Sequence, residues 1–417
     1  MMATSCTACG KTSDSERSPF PISWRTGEFF FWLIIASMCV VPVTKTISVY
    51  GFQLQSLGWI LSLLFGVGCL LWCPSRPITF PYQAFIPFCL YIIARTDFTD
   101  RIDAQRVLMM FAPVLCGMVA SGLEYRDLRF VQRAYYLLFA FLALCTLQEL
   151  LFYTIRIVKF LLVGTAMTYV LISIGALLCW RQTRWLSGAV YCACLGICAV
   201  AKMRLEAAVL AFLPFIIYLL EGSLFTVRKA LWVLAVFMVF CAAFYTPPVQ
   251  KNLFYSGHGT LWQSFVDVIH LDSSRLQTSG RLYIWKTNLD HIKNPWFGAG
   301  GAASYRFGMT YLNKEPHPHN EYIRVLFDYG IAGLVLLGWP LFHLFSIARR
   351  RLRTAAPDVR WAYSVTQIGL VVGLLIAMTD NVLVYAAFYG NLLFATAGAA
   401  FACTQKAQSA HEAAKPV

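Results

Sequence analysis

The chain has 417 residues, 59% of them hydrophobic and 13% charged, with a formal net charge of +14 and a mean hydropathy of +0.62. A soluble domain carries roughly a quarter of its residues as charges, so a single soluble globule is excluded, and the lack of strongly alternating strands argues against an outer-membrane barrel. The positive charge follows the loops between apolar stretches and reads as a topology signal, not as a nucleic-acid surface.

Residues 1–26 form a cytoplasmic tail in this reading. They are Ser/Thr-rich and lack the apolar core of a cleavable signal peptide. Cys6 and Cys9 have CxxC spacing but no partner pair, which argues against metal or redox chemistry. From Phe29 to Cys403, apolar runs of about 18 or more residues recur. They predict an all-α polytopic membrane protein with about twelve transmembrane helices, centred near residues 37, 63, 87, 114, 142, 169, 194, 213, 237, 334, 370 and 392. Nine fall in 27–245 and three in 321–403, leaving 404–417 as a cytoplasmic tail. Most cysteines lie within these stretches as small apolar packers.

Placing both termini in the cytoplasm puts Arg17, Arg25, Arg76, Arg126, Arg129, Arg133, Arg181, Arg184, Arg228, Lys229 and the run Arg349, Arg350, Arg351 and Arg353 inside. The other side receives Lys45, Arg156, Lys159, Lys202 and Arg204, together with Arg95, Arg101 and Arg106, which Asp97, Asp100 and Asp103 offset. It also receives the one long polar connection, residues 246–320.

That connection has no cysteine, so no disulfide holds it. Trp262, Phe265, Val266 and Ile269 form one apolar stripe; Leu282, Trp285, Leu289 and Ile292 form a second, following Ser279 as N-cap and closed by Pro295. The segment is expected to form two short helices across the mouth of the bundle, as a lid or substrate platform. Gly298, Gly300 and Gly301 then make a turn without the Lys-Ser/Thr of a phosphate loop.

His317-Pro318-His319-Asn320 meets the tenth apolar stretch. Pro316 and Pro318 disfavour helix before His319. On an unbroken helix Gly330 lies about 20° from His319 and Gly333 about 40° to the other side, a bare seam suited to close helix packing. Glu321, Arg324 and Asp328 fall on the opposite face and can pair at i,i+3 and i,i+4. The alternatives for His319 are a base or a helix cap. Arg204, in a very short turn on the same side, and Arg281, at the head of the second loop helix, could hold phosphate oxygens or reach lipid headgroups. Asp380, in the hairpin before the last span, could orient a histidine or an arginine, or be a solvated turn residue. His317 and His319 lack an obvious third metal ligand, and the same face has no DxD, GxSxG or HExxH. One base and two fixed cations suit a phosphorylated substrate whose diphosphate leaves.

His319-Asn320, nine residues, then Gly330-x-x-Gly333 resembles the motif of the O-antigen ligase superfamily. Arg281-x-x-x-Trp285, Pro295-x-x-Gly298-x-Gly300 and Lys202-Met-Arg204 resemble its neighbouring blocks, over about residues 200–400. The resemblance implies an inverting, metal-independent and cofactor-free glycosyl transfer on the periplasmic face of a Gram-negative inner membrane. His319 would be the general base, and Arg281 and Arg204 would neutralise the leaving diphosphate. Asn320, Asp380, His317 and Arg275 are candidate substrate contacts; Lys251, His258 and Arg275 are the candidates for a further basic residue in the loop. The implied donor is undecaprenyl-diphosphate-linked O-antigen and the acceptor lipid A–core; no nucleic acid is implied. Twelve spans with a single large loop resemble the ligases more than the polymerases of the superfamily.

Overall fold

The computed structural model describes residues 26–44, 48–49, 52–72, 77–99, 101–152, 155–180, 182–201, 203–222, 226–312, 317–383 and 387–413. Cys6, Cys9, Arg17, Arg25, Lys45, Arg76, Asp100, Arg181, Lys202 and Pro316 lie outside them. Apart from a two-residue ladder pairing 48–49 with 52–53, the regular structure is helical.

In chain order the first nine helices are α1 (Thr26–Thr44), α2 (Leu54–Trp72), α3 (Ile86–Ala94, entered through a 3-10 turn), α4 (Arg101–Gly122), α5 (Arg129–Phe152), α6 (Ile155–Leu178), α7 (Arg184–Val200), α8 (Arg204–Leu220) and α9 (Val227–Phe244). The long connection carries α10 (Pro247–Leu253), α11 (Leu261–Ile269), α12 (Arg281–Asp290) and α13 (Ala303–Tyr311). The chain ends with α14 (Glu321–Arg351), α15 (Pro357–Ala377) and α16 (Gly390–Ala413).

Each of the twelve expected centres falls in a helix. Among the described residues, five helices are long and apolar enough to cross a membrane: Ile102–Gly122, Arg129–Leu147, Val227–Phe244, Glu321–Arg351 and Pro357–Ala377. Five shorter apolar helices accompany them. The third stretch departs from expectation. With its 3-10 turn, α3 reaches only about 20 Å at helical rise, short of a hydrocarbon core of about 30 Å.

The core lies where α1, α4, α5, α6, α15 and α16 meet. A Cβ at Gly398 would overlap the Gly117 carbonyl, so the bare Gly398 permits the close approach of α16 to α4. Buried hydroxyls and an indole in this core find partners: Tyr135 with Thr396 at 2.9 Å, and Trp361 donating to the Gly175 carbonyl at 3.0 Å. α9 is different. Leu231, Phe237 and Val239 are exposed along its length.

The connection holds four short helices where the stripes gave two. The second stripe begins with Arg281 after a left-handed Gly280, not after Ser279 as cap, and its helix ends at Asp290, five residues before Pro295. Gly280 needs the positive φ of 77° to turn the chain into the helix.

Candidate active site

α14 begins with Asn320 as its N-cap. The Asn320 side-chain oxygen accepts a hydrogen bond from the Ile323 amide at 3.1 Å, so Asn320 is the cap and His319 is not. The cap is made by the side-chain oxygen alone. His319 sits just outside the helix at φ 50°, a left-handed conformation uncommon for a residue with a side chain.

The imidazole meets the hairpin between α15 and α16. Its Nδ1 lies 3.6 Å from Asp380 Oδ1 and 3.3 Å from the Asn381 side-chain amide. Asn381 is fully buried, and its Oδ1 has no hydrogen-bond partner among the described residues. With that amide turned, its oxygen joins Asp380 as an acceptor for Nδ1–H, leaving Nε2 to take a proton. The hairpin is itself fixed: the Leu383 amide donates to Glu321 Oε1 at 2.8 Å, and Glu321 is ion-paired with Arg324.

α12 clamps both parts. Arg281 donates to the Thr379 carbonyl at 2.7 Å, and four residues on, Trp285 donates to the Pro318 carbonyl at 2.8 Å. Positions i and i+4 share one helix face, which is the physical sense of the Arg-x-x-x-Trp spacing. One face of α12 holds the hairpin carrying Asp380 and the segment carrying His319. A guanidinium has five donors, so the bond to Thr379 leaves Arg281 able to hold an anion.

The glycines have a different reason from the bare seam expected for them. α14 is broken at Gly330, with φ 68° and ψ −170°, a region essentially confined to glycine. The helical-wheel placement of Gly330 and Gly333 relative to His319 therefore does not carry through the break. Into the break docks the 294–301 turn. Ala299 and Gly300 donate to the carbonyls of Phe327 and Asp328, and Ile331 and Ala332 donate to those of Pro295 and Trp296, at 2.8–3.0 Å. A Cβ at Gly298 would overlap the Asp328 backbone, and one at Gly330 the Trp296 backbone.

Glu321 and Arg324 pair at i,i+3 as their spacing suggests, and with Asp328 they lie inside the protein. They are 1–3% exposed. Asp328 accepts from the Ser304 amide at 2.7 Å. Nearby, Arg306 bonds Asp103 at 2.6 Å, and Arg106 stacks on Tyr305 with its Nη2 3.5 Å from His317 Nε2. His317 belongs to this network beneath the site. Burial, and then the cations Arg106 and Arg324, push its pKa from 6.5 down to about 2, so the ring is neutral at physiological pH.

Arg275 is bound bidentately by the buried carboxylate of Asp267, which raises the guanidinium pKa and fastens α11 to the following turn. Beside that pair the Arg275 side chain remains 49% exposed. Lys251 and His258 are exposed on the same part of the loop. Arg204 is the exposed first residue of α8. What ties α8 to the site is Glu206, 4% exposed and within electrostatic reach of Asp380 and Arg281. Sequence reasoning missed Glu206 and Asn381. Their signals were a carboxylate two residues after Arg204 on an apolar helix, and a polar Thr379-Asp380-Asn381 turn between two apolar helices. Among the described residues no group of three His, Cys, Asp or Glu side chains is placed to share a metal ion.

Residues 151–338 match the family model of O-antigen ligase. The matched stretch runs from the end of α5 into α14 and contains Arg204, Arg281, Trp285 and His319. The matched segment covers less than half of the chain and stops before Asp380 and Asn381, which only the folding of the hairpin brings to it. No curated protein matches the chain.

Proposed function

We propose that this protein is an O-antigen ligase, moving a glycan from undecaprenyl diphosphate to lipid A–core on the periplasmic face of the inner membrane. The observation that carries the reading is the junction at His319. One imidazole has Nδ1 against Asp380 and Asn381, with Arg281 held at the same hairpin by its bond to Thr379. A base oriented by a second group beside a fixed cation is what transfer from a diphosphate requires.

In the reaction the acceptor hydroxyl oxygen attacks the anomeric carbon of the donor sugar from the side opposite the diphosphate. As the new C–O bond forms, His319 Nε2 takes the hydroxyl proton, and Asp380 stabilises the imidazolium through Nδ1–H. The bond from the anomeric carbon to the diphosphate oxygen breaks, and the electron pair leaves with undecaprenyl diphosphate. Arg281, assisted by Arg204 from the head of α8, meets that charge and remains cationic throughout. The anomeric centre inverts, and a diphosphate leaves without a general acid.

Cells carrying His319→Ala are expected to keep the protein in the membrane and to lose the long-chain lipopolysaccharide ladder on a gel. An intact ladder would sink the assignment. The polymerase of the same superfamily is separated by acceptor choice. A ligase consumes lipid A–core, whereas a polymerase lengthens diphosphate-linked glycan when no lipid A–core is present.

A further inference from the structure

α11 is amphipathic in the reverse of the usual sense. Its charged residue, Asp267, is 1% exposed and faces inward to Arg275, while Trp262, Phe265, Val268 and Ile269 are 71%, 56%, 45% and 59% exposed. The helix is well made: Thr260 and Gln263 form a complete capping box, so the outward face is not the product of a poorly ended helix. A helix at a protein–water boundary turns its apolar stripe to the core. One that presents aromatics outward and seats its acid inward is built for an apolar medium on the outside.

The position of α11 says which medium. Its amino end is fastened to the carboxyl end of α9, a helix long and apolar enough to cross a membrane, whose own apolar side chains face outward. The fastener is Gln250, which donates to the Phe244 carbonyl at 2.8 Å and accepts from the Gly259 amide at 2.6 Å, next to the Thr260 cap. Phe244 and Phe254 pack edge to face, with Leu282 of α12 in the same cluster. α11 thus starts where a membrane helix ends. Tyr245 and Tyr255, both exposed, flank this junction as aromatics do at a membrane boundary.

We propose that α11 is an interfacial helix: its Trp262–Phe265–Ile269 face lies in the headgroup–acyl boundary of the bilayer, on the leaflet that α9 enters at Phe244. It runs about 13 Å along that boundary and, through Asp267–Arg275 and the shared cluster with α12, fixes the height of the loop over the membrane. The proposal does not depend on the transfer reaction, because an inactive protein would keep the same lipid contact.

The test is photocrosslinking of the full chain in native membranes, with benzoylphenylalanine replacing Phe265, and the exposed Lys286 of α12 replaced in a parallel control. Phospholipid adducts from 265 and none from 286 are expected. Adducts to another polypeptide, or no lipid adduct from 265, would overturn it. Trp262→Phe, a change that keeps an aromatic ring, gives a second measurement. In nanodiscs of phosphatidylethanolamine and phosphatidylglycerol, the emission difference between wild type and variant is expected to be lost when the acyl chains are brominated near the headgroups. Emission from Trp262 that bromination leaves unchanged would overturn the proposal as well.

Discussion

α12 turns Leu282 inward and spends Arg281 and Trp285 on the hairpin and the histidine segment; α11, a few residues earlier, leaves Trp262 and Phe265 outside and buries Asp267. Both helices carry an apolar stripe at helical spacing, and the stripes alone do not tell them apart. The difference comes from what each face meets. α12 has a polar hairpin and a cluster of its own loop to pack on. α11 is tied at one end to a helix with an outward apolar surface. An amphipathic stripe states that a face will avoid water, and leaves open whether protein or lipid does the covering.

This contrast can be broken at several points. The largest effect is expected from His319→Ala, a loss of about 10²–10⁴-fold in transfer rate, the range of a positioned base, with unchanged protein level in the membrane. Arg281→Ala should follow, with about 10²–10³-fold lost, as for removal of a group that meets developing charge; a rate within threefold of wild type would remove Arg281 from the site.

Gly330→Ala tests the frame rather than the chemistry. A side chain in that backbone conformation costs about 1–3 kcal/mol, beyond its overlap with Trp296, so a lowered melting temperature by scanning fluorimetry is the readout. Trp285→Phe keeps the ring and removes one hydrogen bond, about 1 kcal/mol, and should slow transfer by up to about tenfold. Phe265→Ser on α11 should slow it far less. Equal losses from the two would erase the distinction between the helices.

The smallest effect concerns His317. Its folded pKa, about 2, lies below the ordinary 6.5. The neutral ring is the form the fold holds, so the contribution is intact above pH 6.5 and is lost as pH falls below it, where the unfolded chain takes up a proton. Between pH 6.5 and 5.5 this amounts to about 1 kcal/mol. His317→Gln should flatten the fall in melting temperature over that window, and an unchanged slope would show that His317 is not neutral in the fold.

What the sequence offered was local: His319-Asn320 as a helix entry, and Arg281-x-x-x-Trp285 as a block of the family resemblance whose i,i+4 sense the helix supplies. The sequence pattern misled where a backbone leaves its period. The Gly330 break cancels a wheel drawn through it, and the real reason for Gly298 and Gly330 is a turn and a helix meeting backbone to backbone. Asn381 and Glu206 were passed over for another reason. Each is one polar residue among apolar neighbours, and only the folding of distant segments toward His319 and Arg281 gives it a role. The pairing of Arg275 was hidden because its partner, Asp267, is eight residues away on the face of α11 that the stripe suggested would be outside.

The most direct measurement is the rate at which the purified full chain, in nanodiscs, transfers a defined glycan from undecaprenyl diphosphate to lipid A–core with EDTA present, compared with its His319→Ala variant. Product from the wild-type protein, an inverted anomeric linkage, and a variant slower by about 10²-fold or more are expected. A variant that transfers at the wild-type rate, or a wild-type activity abolished by the chelator, would contradict the proposed reaction.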